Sequence, residues 1–233
     1  MSDAYFVTGL QMPAGTPLET LLQKLCESAG IRAGSVNEIH HFTDAASALF
    51  QRISKTSYGP ILCWPLIPYL ETSTLFSVCR ALELGEISTC ILAECSSVTS
   101  TAILLASPTG VGRLNLSPHA HLAVRFSSPI SMTDPVVCAH KLLASMPEEE
   151  STEEQNPEGP PVPQKPSRPW MGIYSREKPE IADWSPDRLV FGSSIFTSLI
   201  NLVTAMNSTR TDPGVWINIM SEEPGASLLV LPL

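Results

Sequence analysis

The sequence has few basic residues and no stripe of them. Fourteen lysines and arginines stand against 23 aspartates and glutamates, which gives a formal net charge of −9 at pH 7. A protein that holds nucleic acid needs clustered Lys and Arg to neutralise phosphates, so this composition argues against nucleic-acid binding. Charged residues make up only 16% of the chain against 43% hydrophobic residues. That imbalance leaves two alternatives open, a buried oligomer face or a large, well-packed α/β core.

Long hydrophobic runs and targeting signals are also lacking. The N-terminus, MSDAYFVTGLQMPAG, has no basic stretch followed by an apolar one, and no apolar run is long enough to span a bilayer. The cysteines are scattered in apolar contexts without any CxxC pair, which favours free thiols in a reducing compartment. They are Cys26, Cys63, Cys79, Cys90, Cys95 and Cys138. We therefore expect a cytoplasmic protein without membrane contact or disulfides.

Cofactor and metal motifs are missing as well. The chain contains no phosphate loop and no dinucleotide-binding glycine pattern. The segment ECSSVTS lacks the G-x-S-x-G elbow of serine hydrolases. His119 and His121, in PHAHL, would share a strand face, but no third ligand stands at a useful spacing. The sequence predicts neither a cofactor nor a metal site.

One segment has almost no apolar residues. Residues 147–169, PEEESTEEQNPEGPPVPQKPSRP, carry seven prolines and six glutamates. Such a segment cannot bury enough surface to order itself, so it predicts a flexible connector. We therefore divide the chain into an N-terminal part, residues 1–146, a linker, residues 147–169, and a C-terminal part, residues 170–233, that completes the same domain.

What the sequence does have is alternation of strand-like and helix-like segments. Strands are predicted at AYFVTGL, VNEIHHF, GPILCWPL, ISTCILAECS, TAILLAS, HLAVRFSS, GVWINIM and ASLLVLPL. Helices are predicted at TPLETLLQKLCESAG, AASALFQRIS, YLETSTLFSVCRALELG and about 194–207. In the first helix Thr16 is the expected N-cap and Gly30 the stop, and Gly85 ends the third. The alternation predicts an α/β fold, a layered sheet with helices on its faces.

A few side chains are candidates for nucleophilic chemistry. Cys63 ends a predicted strand beside a turn, but Trp-Pro-Leu-Ile-Pro then delays the next helix and removes the dipole that would activate the thiol. His40 or His41 could serve as a base, although neighbours on a strand point to opposite faces and such pairs are more often structural. Ser193 follows Gly192 at the mouth of a helix, a common place for a catalytic residue, and we expect it to act as the N-cap of that helix.

The order of the segments resembles the thiolase superfamily, specifically the β-ketoacyl synthases. The segment LLQKLCESAGIRAGSVNEI is followed by a buried strand, the helix TSTLFSVCRALELGE and the strand ISTCILAEC. In that family a buried strand delivers a cysteine to the start of a long central helix that ends at a glycine. The ending CRALELGE at residues 79–86 matches that pattern. The resemblance covers most of the chain as pattern rather than identity, in a chain much shorter than a complete ketosynthase.

Three catalytic positions of the resembling family are vacant here. Its nucleophilic cysteine stands about 16–17 residues before the helix-closing glycine, and counting back from Gly85 reaches Pro68 or Tyr69. In the family's K-x-x-x-G-H pattern, Arg188 takes the lysine place and Ser193 the histidine place. The D-x-H-G-T-G-T motif has no counterpart, and SEEPG, after Asn218, replaces the glycine-rich turn near the C-terminus.

The resemblance with vacant sites implies a chain-length-factor-like partner subunit without catalysis of its own. It would form a heterodimer, or a higher assembly, with an active β-ketoacyl synthase of fatty acid or polyketide-type biosynthesis, stabilise it and shape its acyl tunnel. An acidic acyl carrier protein would then be contacted mainly through the partner, because this chain is itself acidic. Trp64, Leu66 and Tyr69 are the candidates for filling the vacated pocket or walling the partner's tunnel.

Two other interpretations remain at this point. One is a divergent acyltransferase or hydrolase that uses Cys63 or a serine with His40 or His41, which requires the side chains to converge within about 3 Å. The other is a structural α/β domain without any relation to ketosynthases.

Overall fold

A computed structural model describes residues 4–32, 34–44, 52–56, 58–125, 135–144, 169–175, 181, 183–209, 212–219 and 226–233. The strands are β1 Ala4–Met12, β2 Glu38–Thr43, β3 Arg52–Thr56, β4 Gly59–Pro65, β5 Thr89–Cys95, β6 Ser100–Ala106, β7 Ala120–Arg125, β8 Trp170–Ser175, β9 Leu189–Phe191, β10 Gly214–Ile219 and β11 Ala226–Leu231. The helices are α1 Leu18–Ala29, α2 Pro68–Leu84, α3 Pro108–Leu114, α4 Pro135–Ala144 and α5 Ile195–Thr209.

The strands form one mixed sheet in the order β3-β4-β2-β5-β6-β1-β7-β11-β10-β8-β9. Apart from β3, the order is symmetric about the antiparallel pair β1–β7. On one side β2 runs parallel to β4 and β5, and β5 runs antiparallel to β6. On the other side β8 runs parallel to β9 and β10, and β10 runs antiparallel to β11. The chain therefore builds two similar half-sheets joined edge to edge.

Helices cover both faces of the sheet. One face carries a continuous apolar core beneath α2 and α5, with Phe196, Leu199 and Trp216 fully buried in it. The opposite face carries two separate clusters, one beneath α1 around Leu21 and Leu25 and one beneath α4. The two longest helices thus share one face and meet near its centre, where α2 contacts α5.

Local signals fixed several element boundaries. Gly30 and Gly85 end α1 and α2 in the left-handed conformation, with φ of 67° and 73°, a region that glycine enters at little cost. The prediction that Thr16 is the N-cap of α1 is wrong. Its hydroxyl donates to the carbonyl of Pro13 at 2.6 Å, and Pro17 takes the cap position.

Other expectations need correction. The predicted helix AASALFQRIS is wrong at its end, because residues 52–54 belong to β3, which pairs antiparallel with β4; residues 45–51 lie outside the described part. Neither α3 nor β8 was predicted. In α3 two glycines obscure the helical pattern, although Ser107 accepts a hydrogen bond from the amide of Gly110 as an N-cap.

The predicted linker, residues 147–169, lies outside the described residues except for Pro169. The proposed domain limits stay a prediction. Within the sheet, β7 precedes residue 146 in sequence but pairs with β11 from the C-terminal part. No helix in the described segments is long and apolar enough to cross a membrane.

Candidate functional site

The parallel strands β2, β4 and β5 end at the same end of the sheet, and α2 starts there. Pro68 is the first residue of α2 and Tyr69 the second, while Ile67 holds the cap position without a side-chain cap. Pro68 brings no N–H and no reactive group, and Tyr69 is half exposed. The two positions that the sequence marked as vacant therefore stand at the N-terminus of the long helix and offer no nucleophile.

Two carboxyl groups lie buried just inside this helix start. Glu71, in the first turn of α2, and Glu94, near the end of β5, are each only 3% exposed. Burial and then the charge of Glu94 raise the pKa of Glu71 to about 8, and burial raises the pKa of Glu94. Glu71 is therefore protonated at neutral pH and can donate a hydrogen bond.

Hydroxyl groups lie around Glu94 and connect it to α5. Glu94 Oε1 accepts from the hydroxyl of Ser96 at 3.4 Å, and the hydroxyl of Ser194 also hydrogen-bonds to Glu94. Ser194 lies 3.1 Å from Thr197 Oγ1, which lies 3.1 Å from Thr101 Oγ1 on β6. This polar cluster therefore joins β5, β6 and α5 on the face of the sheet that α2 and α5 cover.

Ser194, not Ser193, caps α5. The amide of Thr197 donates to Ser194 Oγ at 3.2 Å, whereas the side chain of Ser193 is exposed. The sequence prediction was wrong by one residue because both serines have the right chemistry, and only the turn geometry selects one. Gly192 is required for close packing, since a Cβ there would come within 2.1 Å of the Ser198 amide nitrogen.

Arg188, at the family's lysine place, is held by structural contacts. Its guanidinium Nη1 lies 2.8 Å from Asp212 Oδ2, and it stacks over the ring of Trp170 at 4.6 Å. Both side chains of the ion pair are largely buried. Arg188 thus fastens the start of β9 to β8 and to the segment before β10.

Cys63 and His41 come together on the other face of the sheet. Their strands run parallel with these two residues in register, and Cys63 Sγ lies 3.9 Å from His41 Nδ1. Cys63 packs against the core beneath α1, so the sheet separates it from Glu71 and Glu94. Burial raises the pKa of the Cys63 thiol and lowers the pKa of His41, so both are neutral at pH 7.

His40 faces the opposite way, as adjacent strand residues must. Its Nδ1 accepts from the indole N–H of Trp64 at 3.0 Å, and its Nε2 lies 3.4 Å from Glu38 Oε2. Burial lowers the pKa of His40, although Glu38 opposes the effect. Of the two histidines, only His41 could act with Cys63.

Metal ligands do not converge in the part of the chain that the structure describes, where no group of three His, Cys, Asp or Glu side chains could hold an ion. His121 lies on β7 with its ring 4.5 Å from that of Tyr5, and the amide of His119 donates to Phe6. His121 thus packs against an aromatic ring.

Comparison with known proteins identifies the fold. No protein-family model matches the chain. No curated protein matches it either. Among solved structures, OleA from Xanthomonas campestris with bound lauric acid and lauroyl-CoA aligns with a TM-score of 0.58 and 9% identity, covering 99% of both chains. FabH from Xanthomonas oryzae pv. oryzae, a 3-oxoacyl-(acyl carrier protein) synthase III, aligns with the same score and identity, covering 99% of this chain and 100% of its own.

Both neighbours are ketosynthase-like proteins of the thiolase superfamily. At 9% identity they show the fold alone: the chain has the thiolase-like ketosynthase fold, as the order of its segments predicted. The predicted fold class is confirmed, with helices on both faces of the sheet and a short chain of 233 residues.

The carboxyl pair was the main feature that the sequence did not reveal. Glu71 lies in the first turn of a helix, where acidic residues are common. Glu94 lies near the end of a strand that is buried along nearly its whole length, so no alternation of apolar and polar residues shows which way its side chain points. A weak signal was present, since an acid inside the otherwise apolar run STCILAEC is unusual unless it is paired or neutral. Its partner could not be located without the fold.

Proposed function

We propose that this chain is a non-catalytic ketosynthase-like subunit that pairs with an active β-ketoacyl synthase, stabilises it and shapes its acyl tunnel. The observation that carries the proposal is the start of α2. Decarboxylative condensation needs a thiolate to hold the acyl group, and Pro68 and Tyr69 stand where the resemblance places it. The adjoining cluster is built from carboxyl and hydroxyl groups, with Glu71 protonated rather than nucleophilic.

The bulky residues next to this helix start support a filled pocket. Trp64 and Leu66 pack against the core that α2 and α5 cover, and Trp64 is further tied to His40. Because these side chains are packed against the core, they leave no space for an acyl chain beside the start of α2. The proposed consequence is that these two residues fill this chain's own pocket.

Exposed apolar side chains near the carboxyl ends of β4 and β5 support a contact with a partner. Tyr69 is 50% exposed and Ile67 45%, beside the start of α2, and Val98, in the turn between β5 and β6, is 71% exposed. Large apolar side chains in water are typical of interaction surfaces when they gather at one site. Tyr69 is thus the candidate for reaching the partner's tunnel.

The edge strand β3 limits how a strand of the partner can pair with this sheet. Ketosynthase-like proteins resemble one another in pairing through the sheet edge, but here β3 pairs with β4 from the same chain. A partner strand would have to join β3 rather than β4 at this end. An acyl carrier protein would dock mainly on the partner, since this chain carries a net charge of −9.

The test is co-expression with a ketosynthase encoded in the same genome, followed by size-exclusion chromatography with light scattering. A stoichiometric complex with higher condensing activity than the ketosynthase alone is the expected result. Tyr69→Ala, which removes an exposed side chain, should change the product chain length or weaken the complex, and Val137→Ala, also exposed but on α4, is the matched control. A chain that stays monomeric with every such ketosynthase would contradict the proposal.

A second candidate function rests on the contact between Cys63 and His41. The pair could act in acyl transfer or hydrolysis if substrate binding displaced the neutral pair toward the thiolate–imidazolium form. Incubation with an acyl thioester and intact-mass analysis would detect the acyl-enzyme. Acylation that is lost in Cys63→Ala and kept in Cys95→Ala would favour this function over the first.

A further inference from the structure

We propose that the charge on His40 controls the position of Trp64: the neutral imidazole holds the indole against β2, and the imidazolium releases it. Trp64 is one of the two side chains to which we assign the filling of this chain's own pocket. The switch is a property of the chain alone and needs no partner subunit. Only its consequence for an acyl chain rests on the proposed function.

The hydrogen bonds of His40 fix where its proton lies. The indole Nε1 of Trp64 lies 3.0 Å from His40 Nδ1, and an indole N–H can only donate a hydrogen bond. Nδ1 must therefore present a lone pair. A neutral imidazole then carries its proton on Nε2, which lies 3.4 Å from Glu38 Oε2 and donates to that carboxylate. The neutral form thus satisfies both ring nitrogens.

The arrangement of the two rings fits this bond. The ring centroids of His40 and Trp64 lie 5.9 Å apart, and the ring planes differ by only 12°. Two nearly parallel rings whose nitrogens are 3.0 Å apart meet edge to edge, so the indole N–H points along the lone pair of Nδ1. The indole also lies 6.5 Å from the ring of Phe42, which lies 5.7 Å from that of Phe196 on α5. The position of Trp64 is therefore linked to the core beneath α5.

Protonation removes the acceptor at Nδ1. In the imidazolium both ring nitrogens carry a hydrogen, so two N–H groups would face each other across the 3.0 Å between His40 and Trp64. The hydrogen bond from Nε2 to Glu38 becomes charge-assisted and stronger at the same time. One proton therefore breaks the bond to Trp64 and strengthens the bond to Glu38.

Burial and the charge of Glu38 set the pH range of the switch. His40 is only 7% exposed, and this burial lowers its pKa, whereas the hydrogen bond to Glu38 opposes the shift. His40 is therefore neutral at pH 7 and becomes protonated below the ordinary histidine value of about 6.5. Because the folded pKa lies below the unfolded one, the stabilisation is complete above about pH 6.5 and is lost as pH falls toward the folded pKa.

Glu38 is the charged neighbour that acts on His40. Among the side chains that the structure describes, it is the group whose charge shifts the pKa of His40. Leu62 on β4 and Leu92 on β5 stand in register with His40 and do not titrate. The Cys90 thiol, in register with Glu38, is neutral because burial raises its pKa. The helix α5 contains no titratable side chain. The remaining titratable residues buried on this face or in this register are Glu71 and Cys79 in α2, Glu94 in β5, and Arg52 in β3, two strands away.

The consequence for the pocket follows from the place of Trp64. The indole packs against the core that α2 and α5 cover, and Trp64 lies on β4, four residues before Pro68 at the start of α2. While His40 is neutral, the indole fills the space beside this helix start. Once His40 is protonated, the indole is no longer held against β2, and an acyl chain can compete for that space. The pocket is therefore filled at neutral pH and opens at acid pH.

The experiment follows the indole N–H of Trp64 and the imidazole nitrogens of His40 by NMR of the full chain from pH 7.5 to pH 4. Trp64→Phe assigns the indole signal. In the wild type the Nδ1 signal should be that of an unprotonated nitrogen at pH 7.5, and the indole signal should shift with the same midpoint as the protonation of His40. An indole signal that does not change as His40 is protonated would overturn the proposal.

Two variants and one control sharpen the test. His40→Asn places a carbonyl oxygen near the position of Nδ1 that accepts at every pH, so the indole signal should lose this transition. His140→Asn is the matched control, because it removes a histidine whose ring lies 5.5 Å from that of another tryptophan, Trp184; the transition at Trp64 should remain. A transition that survives in His40→Asn would contradict the proposal.

Glu38→Gln provides a second test if His40→Asn does not fold. It keeps an acceptor for Nε2 but removes the charge that favours the imidazolium, so the midpoint of the indole transition should move to lower pH. A midpoint that stays in place would contradict the exchange of partners at His40.

Binding of a decanoyl thioester of N-acetylcysteamine, measured by calorimetry above and below the transition, tests the consequence for the pocket. The wild type should bind the thioester more tightly below the transition, and His40→Asn should bind it equally at both pH values. Equal binding by the wild type, with the indole transition intact, would refute Trp64 as the residue that fills the pocket in the proposed function. Loss of the transition itself would refute the switch, so the two failures are distinguishable.

Discussion

Replacing Ser194 by alanine should destabilise the chain, and replacing Ser193 should not. Ser194 is buried, accepts from the amide of Thr197 at 3.2 Å and lies 3.1 Å from the Thr197 hydroxyl. Loss of an N-cap costs about 1 kcal/mol, and leaving a buried donor unsatisfied adds about 1 kcal/mol or more. We therefore expect a loss of about 2 kcal/mol for Ser194→Ala.

Ser193→Ala is the matched control because it makes the same chemical change one residue earlier. Its side chain is exposed, so the expected change lies within about 0.5 kcal/mol. For a chain of this size about 2 kcal/mol corresponds to a fall in Tm of roughly 4–8 °C. Thermal and urea unfolding followed by circular dichroism would measure both variants.

The outcome separates two views of the turn. If the turn is structural, as we infer, only Ser194→Ala lowers Tm. A larger effect from Ser193→Ala would place the cap at Ser193 and refute the assignment. Ser194→Ala should also raise the pKa of Glu94 further, since the Ser194 hydrogen bond lowers it, and a pH titration followed by infrared spectroscopy of the carboxyl groups would detect this.

Three further outcomes are expected. Gly192→Ala should destabilise the fold by about 1–3 kcal/mol, because the new Cβ would lie 2.1 Å from the backbone of Ser198, which cannot move without disturbing α5. Urea unfolding would measure the loss of stability, and an unchanged unfolding midpoint would contradict this close packing. Trp64→Phe should cost about 1 kcal/mol by removing the indole donor to His40, whereas equal stability would show the bond to be dispensable. Alkylation of Cys63 should be slow at pH 7 and still accelerate above pH 9, because burial raises its pKa; fast alkylation at pH 7 would indicate an activated thiol.

Much of the fold could be predicted from local patterns. The continuous apolar run of β5 and the helical spacing of α2 require no tertiary information, and Gly85 marks the end of α2 in the sequence alone. Such signals succeed because hydrophobic periodicity and helix termination depend on residues a few positions apart. The segment order then sufficed to indicate the thiolase-like arrangement.

The candidate site could be predicted only in part. The vacant positions Pro68 and Tyr69 were found by counting along one helix, and they do lie at the N-terminus of that helix. The cap was misplaced between Ser193 and Ser194, since both residues suit a cap and the turn geometry decides. Sequence reasoning also failed for residues 52–54, which form an edge strand because β4 offers a free edge beside them.

The sequence by itself determined which chemistry the chain contains: few cations, scattered thiols, and no thiol or imidazole at the starts of α2 and α5. The tertiary structure decided which groups meet. It placed Cys63 beside His41 on one face of the sheet and Glu71 beside Glu94 on the other. Strand order and sheet face depend on contacts between residues far apart in sequence, and burial, which sets the protonation of the carboxyl pair, exists only once those contacts have formed.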